Sequence, residues 1–349
     1  SAASSDYPLR DVYKRQHTSL TERLILRKVT VEDADFLLEL FNTPTWLKYI
    51  GDRNIHTVEE AAEYITNGPL PFYATHGFGS YCLQLRDSGT RIGMCGLYKR
   101  DNLNYYDLGF ALLPEFEGKG YAREACEYVL KESRDVLHMN SLLAITIKSN
   151  DRSIQLLQRL GFQWKGYFSF EGSDQLLNCL QLPLTEKTIA PPLTISLTKE
   201  LQPTEKERIR TIWNSVYPES LLLQTPDDFE RYLEPLGQKQ HYLMNDLSGK
   251  LRGWGITFER ENALWFAMIL DESIQGTGMG TMLLKRMQAE KHQLSGWVID
   301  HHNAFRADGK PYLSPVEFYL KNKFTIEPET RLELPSISAV CIRYNHENN

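Results

Sequence analysis

Gln275-Gly-Thr-Gly-Met-Gly280 is a run of small residues set between an apolar stretch, Ala263–Leu270, and a segment that carries Met279, Met282, Leu283 and Met287 at helical spacing. Read as strand, tight turn and helix, this stretch leaves several backbone amides unpaired and aimed outward. A helix start adds roughly half a positive charge, so the turn is a seat for a phosphate group. Glycine suits it because a side chain would hold the anion away from the amides. The same order occurs earlier: Asp107–Leu113 as a strand, Pro114–Gly120 as a turn containing Glu117, Gly118, Lys119 and Gly120, and Tyr121–Val129 as a helix. One such turn is a weak signal, since most only reverse the chain; two in matching context point to an internal duplication.

Proton-transfer chemistry has fewer candidates. Asp107 opens the strand ahead of the first turn, after Tyr105 and Tyr106. It reads either as a base facing an amine, directly or through water, or as a strand-end carboxylate in solvent. Asp300-His301-His302 closes the fifth strand of the second half, and a histidine near neutral pKa suits proton removal. The pair reads equally as surface loop. Adjacent histidines on an extended chain point oppositely, so a shared metal is disfavoured, and no metal site is expected. Asn150 heads a helix, where an Asn is ordinarily a cap. Trp254, Trp265 and Trp297 read as core; Trp46 and Tyr49, in the loop before the second helix, read as lining for an acceptor site.

The elements that must position these residues follow from pattern. A chain of 349 residues is long enough for two domains. Glu22–Arg27 alternates as a strand, and Thr30-Val-Glu-Asp33 and Thr57-Val-Glu-Glu60 are capping boxes, the first ahead of a helix over Ala34–Phe41. Strands are expected near Tyr81–Leu85, Arg91–Tyr98, Asp107–Leu113 and Leu142–Ile147, with turns at Asp87–Gly89 and Asp101-Asn102. A helix over Ile154–Leu160 stops at Gly161, and two further strands run to about Leu184. Pro191-Pro192 marks a linker at 186–193. The pattern then restarts: a strand, helices over Pro203–Val216 and Asp227–Leu236, three strands, the glycine turn and its helix, a strand over Gly296–Asp300, a helix over Ser314–Lys323 and two terminal strands. The expected domains are 20–185 and 194–346. Residues 1–19 are set apart as a leader or tag; Asp11–Gln16 resembles the reading frame of a transposon end used in sequencing-library preparation.

Composition excludes several classes. The net charge of −6 disfavours nucleic acid and mildly suits a cationic amine. Nothing approaches the roughly 20 apolar residues needed to cross a bilayer. The five cysteines are scattered without metal-type spacing, as expected for small buried hydrophobes in a reducing cytoplasm.

Both halves resemble the GNAT N-acetyltransferase superfamily, whose signature is Gln/Arg-x-x-Gly-x-Gly/Ala. The second half presents Gln275, Gly278 and Gly280; the first presents Glu117, Gly120 and Ala122, an acid at the first position being a departure. The first half is similar in particular to the ribosomal-protein-alanine branch, through Thr21–Arg27, Gly118–Ala122 and Asn150…Leu160-Gly161-Phe162. The resemblance implies an α/β fold of two tandem domains, each a splayed, mostly antiparallel six- to seven-stranded sheet flanked by helices. It implies acetyl-CoA as cofactor, held by Leu112, Leu113, Glu117, Gly118, Lys119, Gly120, Tyr121, Ala122, Asn150 and Ser153 in the first half. In the second half it implies Ile269, Leu270, Gln275, Gly276, Thr277, Gly278, Met279 and Gly280. Tyr319 matches the family's proton-donating tyrosine; the first half has Leu157 there, and the second has Lys323 for Gly161. The acceptor is then a small-molecule amine or a peptide N-terminus, handled by a monomer or homodimer. The alternative is a CoA-binding regulatory or scaffold module without turnover.

Overall fold

The computed structural model describes residues 19–345, apart from 101–102, 171–172, 188, 262 and 290–292. The expected leader up to residue 18 and the Asp101-Asn102 turn lie outside the described residues. The chain divides into two compact units after Lys187. None of the helices among the described residues is long and apolar enough to cross a membrane.

The first unit runs β1 (Ser19–Leu20), β2 (Leu24–Lys28), α1 (Ala34–Phe41), α2 (Pro44–Tyr49), α3 (Val58–Asn67), α4 (Pro69–His76), β3 (Ser80–Leu85) and β4 (Arg91–Tyr98). It continues through β5 (Asp107–Leu112), α5 (Tyr121–Asp135), β6 (Ser141–Ile147), α6 (Asp151–Arg159), β7 (Gln163–Phe168) and β8 (Leu177–Pro183). Its sheet has eight strands in the order β1-β2-β3-β4-β5-β6-β8-β7. That is one more than expected, because Ser19 and Leu20, assigned to the leader and the domain start, pair with Leu26 and Ile25. Trp46 and Tyr49 lie in the helix α2, not in a loop; Thr43 caps it and Pro44 opens it, a start that six residues give too little periodicity to reveal.

Alternation along β5 sorts its side chains. Leu108, Phe110 and Leu112 face α5, packing with Ala125, Cys126 and Val129. Asp107, Gly109 and Ala111 face the other way, and Ala111 packs with the cluster built from α1 and α3. That second face is pinned by a buried ion pair. Asp33, 1% exposed, accepts from both Arg27 Nη atoms at 2.7 and 2.6 Å and from the Thr30 amide at 2.9 Å. Burial pushes its pKa up, but the Arg27 and Thr30 hydrogen bonds and the nearby Arg91 outweigh this and hold it below 3.8. The five cysteines are all buried and free, with Cys95 Sγ 3.8 Å from Cys126 Sγ.

The second unit runs β9 (Leu193–Thr198), α7 (Pro203–Val216), α8 (Pro226–Leu233), β10 (Gly237–Asp246), β11 (Leu251–Arg260), β12 (Ala263–Leu270) and α9 (Met279–Gln288). It ends with β13 (Gln293–Val298), α10 (Val316–Lys321), β14 (Thr325–Leu334) and β15 (Ile337–Asn345). Its seven-stranded sheet, read from β9, has the order β9-β10-β11-β12-β13-β15-β14, which repeats the first sheet from β2 onward. Leu193, the last residue of the expected linker and the first of the strand expected over Leu193–Leu197, pairs with Asp246. Each sheet is antiparallel except for one parallel pair, β5 with β6 and β12 with β13.

Asp33→Asn leaves Arg27 without its carboxylate. The variant is expected to lose about 3 kcal/mol in denaturant unfolding of the first unit. Because the folded pKa is depressed, the wild-type contribution is present above the unfolded value and lost as pH falls below about 3.8. The variant's stability is therefore less steep in that window.

Candidate functional site

The two parallel pairs are barely pairs. β5 and β6 share one register position, Asp107 with Leu143, and β12 and β13 share one, Trp265 with Ser295. Beyond it the strands part, leaving the inner edges of both free of each other. Each fork leads to a glycine turn, and the two turns have the same backbone. Leu113 (φ −60°, ψ 142°) and Asp271 (φ −54°, ψ 138°) each precede a 3-10 turn. Glu117 (φ −67°, ψ 155°) and Gln275 (φ −67°, ψ 147°) follow it. Gly118 and Gly276 then take φ +73° and +71°, and Gly120 and Gly278 take +85° and +87°. These left-handed values strain any other residue, and a Cβ on Gly118, Gly276 or Gly278 would meet nothing within 4 Å, so open space lies beside the turns. Neither helix has a side-chain cap, which leaves the first-turn amides of Tyr121 and Ala122, and of Met279 and Gly280, without one.

In the first unit the turn is bolted to the short segment between β1 and β2. Glu124 accepts from Thr21 Oγ1 at 2.5 Å, from the Arg23 amide at 2.7 Å and from Arg23 Nε at 2.7 Å. Arg23 also donates to the Lys119 carbonyl at 3.0 Å and lies 4.6 Å from the Tyr121 ring centroid. Burial pushes the Glu124 pKa up, but these donors prevail and lower it.

A cavity of about 1140 Å³ opens on this turn. It gathers Leu112, Glu117, Gly118, Gly120, Ala122, Asn150 and Ser153 with Trp46 and Tyr49; Leu113, Lys119 and Tyr121 are not among its lining. Asn150 caps α6, accepting from the Ser153 amide at 3.2 Å, and lines the cavity as well. Sequence reasoning missed the cations around it: Lys48, Arg123, Arg152 and Arg159. Arg152 donates to Glu117 at 3.2 Å, so the acid at the head of the turn holds a guanidinium beside it. The spacing between a turn and a helix far along the chain gives no sequence signal for this pair.

Asp107 is not in solvent. It is 2% exposed at the fork and accepts from Arg100 Nε at 3.1 Å and Nη2 at 3.3 Å. Burial raises its pKa, and the Arg100 charge and hydrogen bond oppose that without cancelling it. Such a carboxylate binds a proton more readily than an exposed one.

The second unit holds its turn differently. Gln275 Nε2 donates to the Leu270 carbonyl at 2.9 Å, Thr277 Oγ1 to the Ile274 carbonyl at 2.6 Å, and Arg208 pairs with Asp271. Ile269 is buried and Leu270 half-buried at the strand end, and a Cβ on Gly280 would meet Phe318 at 3.1 Å. Tyr319 is buried against Phe266 and Phe324, and burial raises its pKa, keeping the phenol protonated. Strand β13 stops at Val298, so Asp300, His301 and His302 lie beyond it in a loop. There Asp300 pairs with Arg331, the Asn303 amide reaches His301 Nδ1 at 3.3 Å and the Ser314 amide reaches His302 Nδ1 at 3.4 Å. Lys323 takes φ +68°, the left-handed conformation that Gly161 takes at +93°. No cluster of metal-ligating side chains occurs among the described residues.

The family model for the acetyltransferase (GNAT) domain matches residues 23–163, within the first unit. Among curated proteins the chain is similar to p20, an uncharacterized N-acetyltransferase of Bacillus licheniformis, with 30% identity over 151 residues, covering 43% of this chain and 84% of that one. It is also similar to YoaA, an uncharacterized N-acetyltransferase of Bacillus subtilis (strain 168), with 26% identity over 147 residues, 42% of this chain and 82% of that one. Among solved structures, an acetyltransferase from Agrobacterium tumefaciens str. C58 aligns with 19% identity and a TM-score of 0.42, covering 52% of this chain and 99% of that chain.

Arg152→Ala tests whether the Glu117-held cation serves the turn. Calorimetric titration with inorganic pyrophosphate is expected to show affinity about two- to fivefold weaker than wild type, the range for an exposed charge contact. Equal affinities would remove Arg152 from the seat.

Proposed function

Because this chain belongs to the GNAT acetyltransferases, its first unit carrying the matched domain, we propose that this unit transfers an acetyl group from acetyl-CoA to a primary amine. The amine belongs to a small molecule or a peptide N-terminus. The observation that carries the reading is one cavity lined by the bare-amide turn, by Asn150 and Ser153 and by Trp46 and Tyr49, next to a fork that buries Asp107. The left-handed glycines, the uncapped helix start and the cations fit a diphosphate and its pantetheine arm.

Acetyl-CoA supplies an activated acyl group as a thioester. The chain's own residues do the rest. The amides from Gly118 to Ala122, with Arg152, hold the pyrophosphate; Lys119 and Tyr121 contribute through their backbone. Leu112, Leu113, Asn150 and Ser153 would hold the arm beside the open edge of β5, whose unpaired amides could polarise an acyl carbonyl. The attacking amine must be neutral, and the Asp107 carboxylate takes its proton. Leu157 stands where the other unit has Tyr319, so this unit would offer a departing thiolate no side-chain proton donor at that position.

For the second unit we propose a second cofactor seat, formed by Ile269, Leu270, Gln275, Gly276, Thr277, Gly278, Met279 and Gly280, with Tyr319 as proton donor and His301 as base. A further reading applies to this unit alone: a CoA-binding regulatory or scaffold module without turnover. Trp265 favours it, because an indole stands at the fork where the first unit has a carboxylate.

Titration of acetyl-CoA into the full chain tests both seats. Gly120→Glu is expected to remove binding to the first unit and Gly278→Glu to the second, each lowering the stoichiometry by one. If neither variant changes affinity or stoichiometry, the turns are not the seats. Asp107→Asn is expected to slow thiol release by about 10²–10⁴-fold, the usual contribution of a positioned base. The rate rises with pH as Asp107 ionises; Arg100→Gln removes a group that lowers its pKa, so the acidic limb of the pH profile moves upward.

A further inference from the structure

Arg53 lies in the loop between α2 and α3, with its guanidinium carbon 5.4 Å from the Phe41 ring centroid, 5.4 Å from that of Trp46 and 5.1 Å from that of Tyr64. The three rings pack on one another: Phe41 and Trp46 are 4.5 Å apart, and Tyr64 meets Phe41 edge-on at 5.2 Å. The arginine is exposed, and among the described residues it makes no ion pair or hydrogen bond. Rings attract the face of a guanidinium and fix its plane, but they do not satisfy the N–H donors around its edge. In the same box the indole N–H of Trp46 is buried, again with no partner among the described residues. A flat cation held in place with its donors unused is built to receive a planar anion.

The surroundings have matching charge. Lys48 lies 4.9 Å from the Tyr49 ring centroid, and Trp46, Lys48 and Tyr49 all line the cavity, where α2 contributes no carboxylate. Phe41 and Trp46 belong to the cluster that Tyr64 and Ala111 of β5 also pack against, so the box stands on the Ala111 face of the sheet; on that face burial, and then Tyr64, raise the Tyr98 pKa, with Arg53 opposing. Tyr98 sits directly opposite Asp107 in the β4–β5 register, and a Cβ on Gly109 would touch its ring, so Tyr98 and Asp107 share one face of the sheet. That face therefore presents a carboxylate at the fork and a fixed guanidinium toward solvent.

We propose that Arg53 is a specificity-determining residue that binds a carboxylate on the acceptor, so that the preferred acceptor is an amine that also carries a carboxylate. A free amino acid, or a peptide with an acidic residue close to its N-terminus, has this chemistry. The amine's role rests on the acetyl-transfer reading of the first unit; the carboxylate's does not.

The test uses the full chain and matched acceptors: alanine against alaninamide, and Ala-Glu-amide against Ala-Gln-amide. Thiol release from acetyl-CoA is expected to favour the carboxylate member of at least one pair by about tenfold in kcat/KM, the scale of a hydrogen bond to a charged group. The pair that responds identifies the source. In Arg53→Gln this ratio is expected to collapse toward one through KM, and in Arg53→Lys, which keeps the charge but not the fork of donors, to fall part of the way. An unchanged ratio in Arg53→Gln overturns the inference. So does a lowered KM for a diamine in that variant, which would mean that Arg53 occupies a cation's place. Thermal melts of both variants check that the fold is kept. Titration of N-acetylalanine and N-acetylalaninamide into CoA-loaded wild type and Arg53→Gln separates the two claims. Carboxylate binding that depends on Arg53, without turnover of any amine, sinks the acetyl-transfer reading and keeps this one. Turnover without dependence on Arg53 does the reverse.

Discussion

Where β5 and β6 part after one shared position, each keeps backbone donors and acceptors that the other no longer meets. A buried peptide group without a partner is costly, so a fork in a sheet has to be wet, or filled, or flanked by something polar. The first unit answers with a cavity and a buried carboxylate. Arg100 moderates that carboxylate, and the turn at the far end of β5 faces open space rather than packing. The second unit answers with an indole at the fork and a tighter glycine, Gly280, against Phe318. Much of what separates the two units chemically at this place follows from how each fills the same gap.

The backbone of the two turns is conserved within the chain while the side chains are not. Glu117 and Gln275 share a conformation, yet one holds Arg152 and the other its own strand's Leu270 carbonyl. Gly161 and Lys323 share a left-handed conformation, although a lysine there is strained by about 1–2 kcal/mol relative to its usual regions. The fold therefore specifies dihedral angles more strictly than residue types, and a second unit so different in sequence still lays its strands in the first unit's order.

Much of this was legible before any coordinates. The span Ala34–Phe41 emerged because a capping box and an apolar stripe agree on it, and both glycine turns because strand, small residues and helix follow one another without interruption. What stayed hidden was either short or non-local. The helix Pro44–Tyr49 is too brief to show a period, so Trp46 and Tyr49 read as loop, and Pro69–His76, as long as Ala34–Phe41, carries two prolines in its first turn and no apolar stripe. Asp107 could be named but not placed: whether it met solvent or Arg100 depends on how a seven-residue separation between β4 and β5 is closed. Arg53 gave no signal at all, because its three rings come from three different segments.

The thiols carry one further consequence. Burial holds Cys82 and Cys179 up to about 12, and Cys126 well above its ordinary value. Since only a thiolate alkylates, an added reagent meets these sulfurs when the surrounding packing opens. Cys126 sits on the core face of α5, whose first turn supplies the bare amides, and Cys341 lies alone in the other unit. The native chain thus contains a separate clock for each half, and their labelling rates report which one breathes.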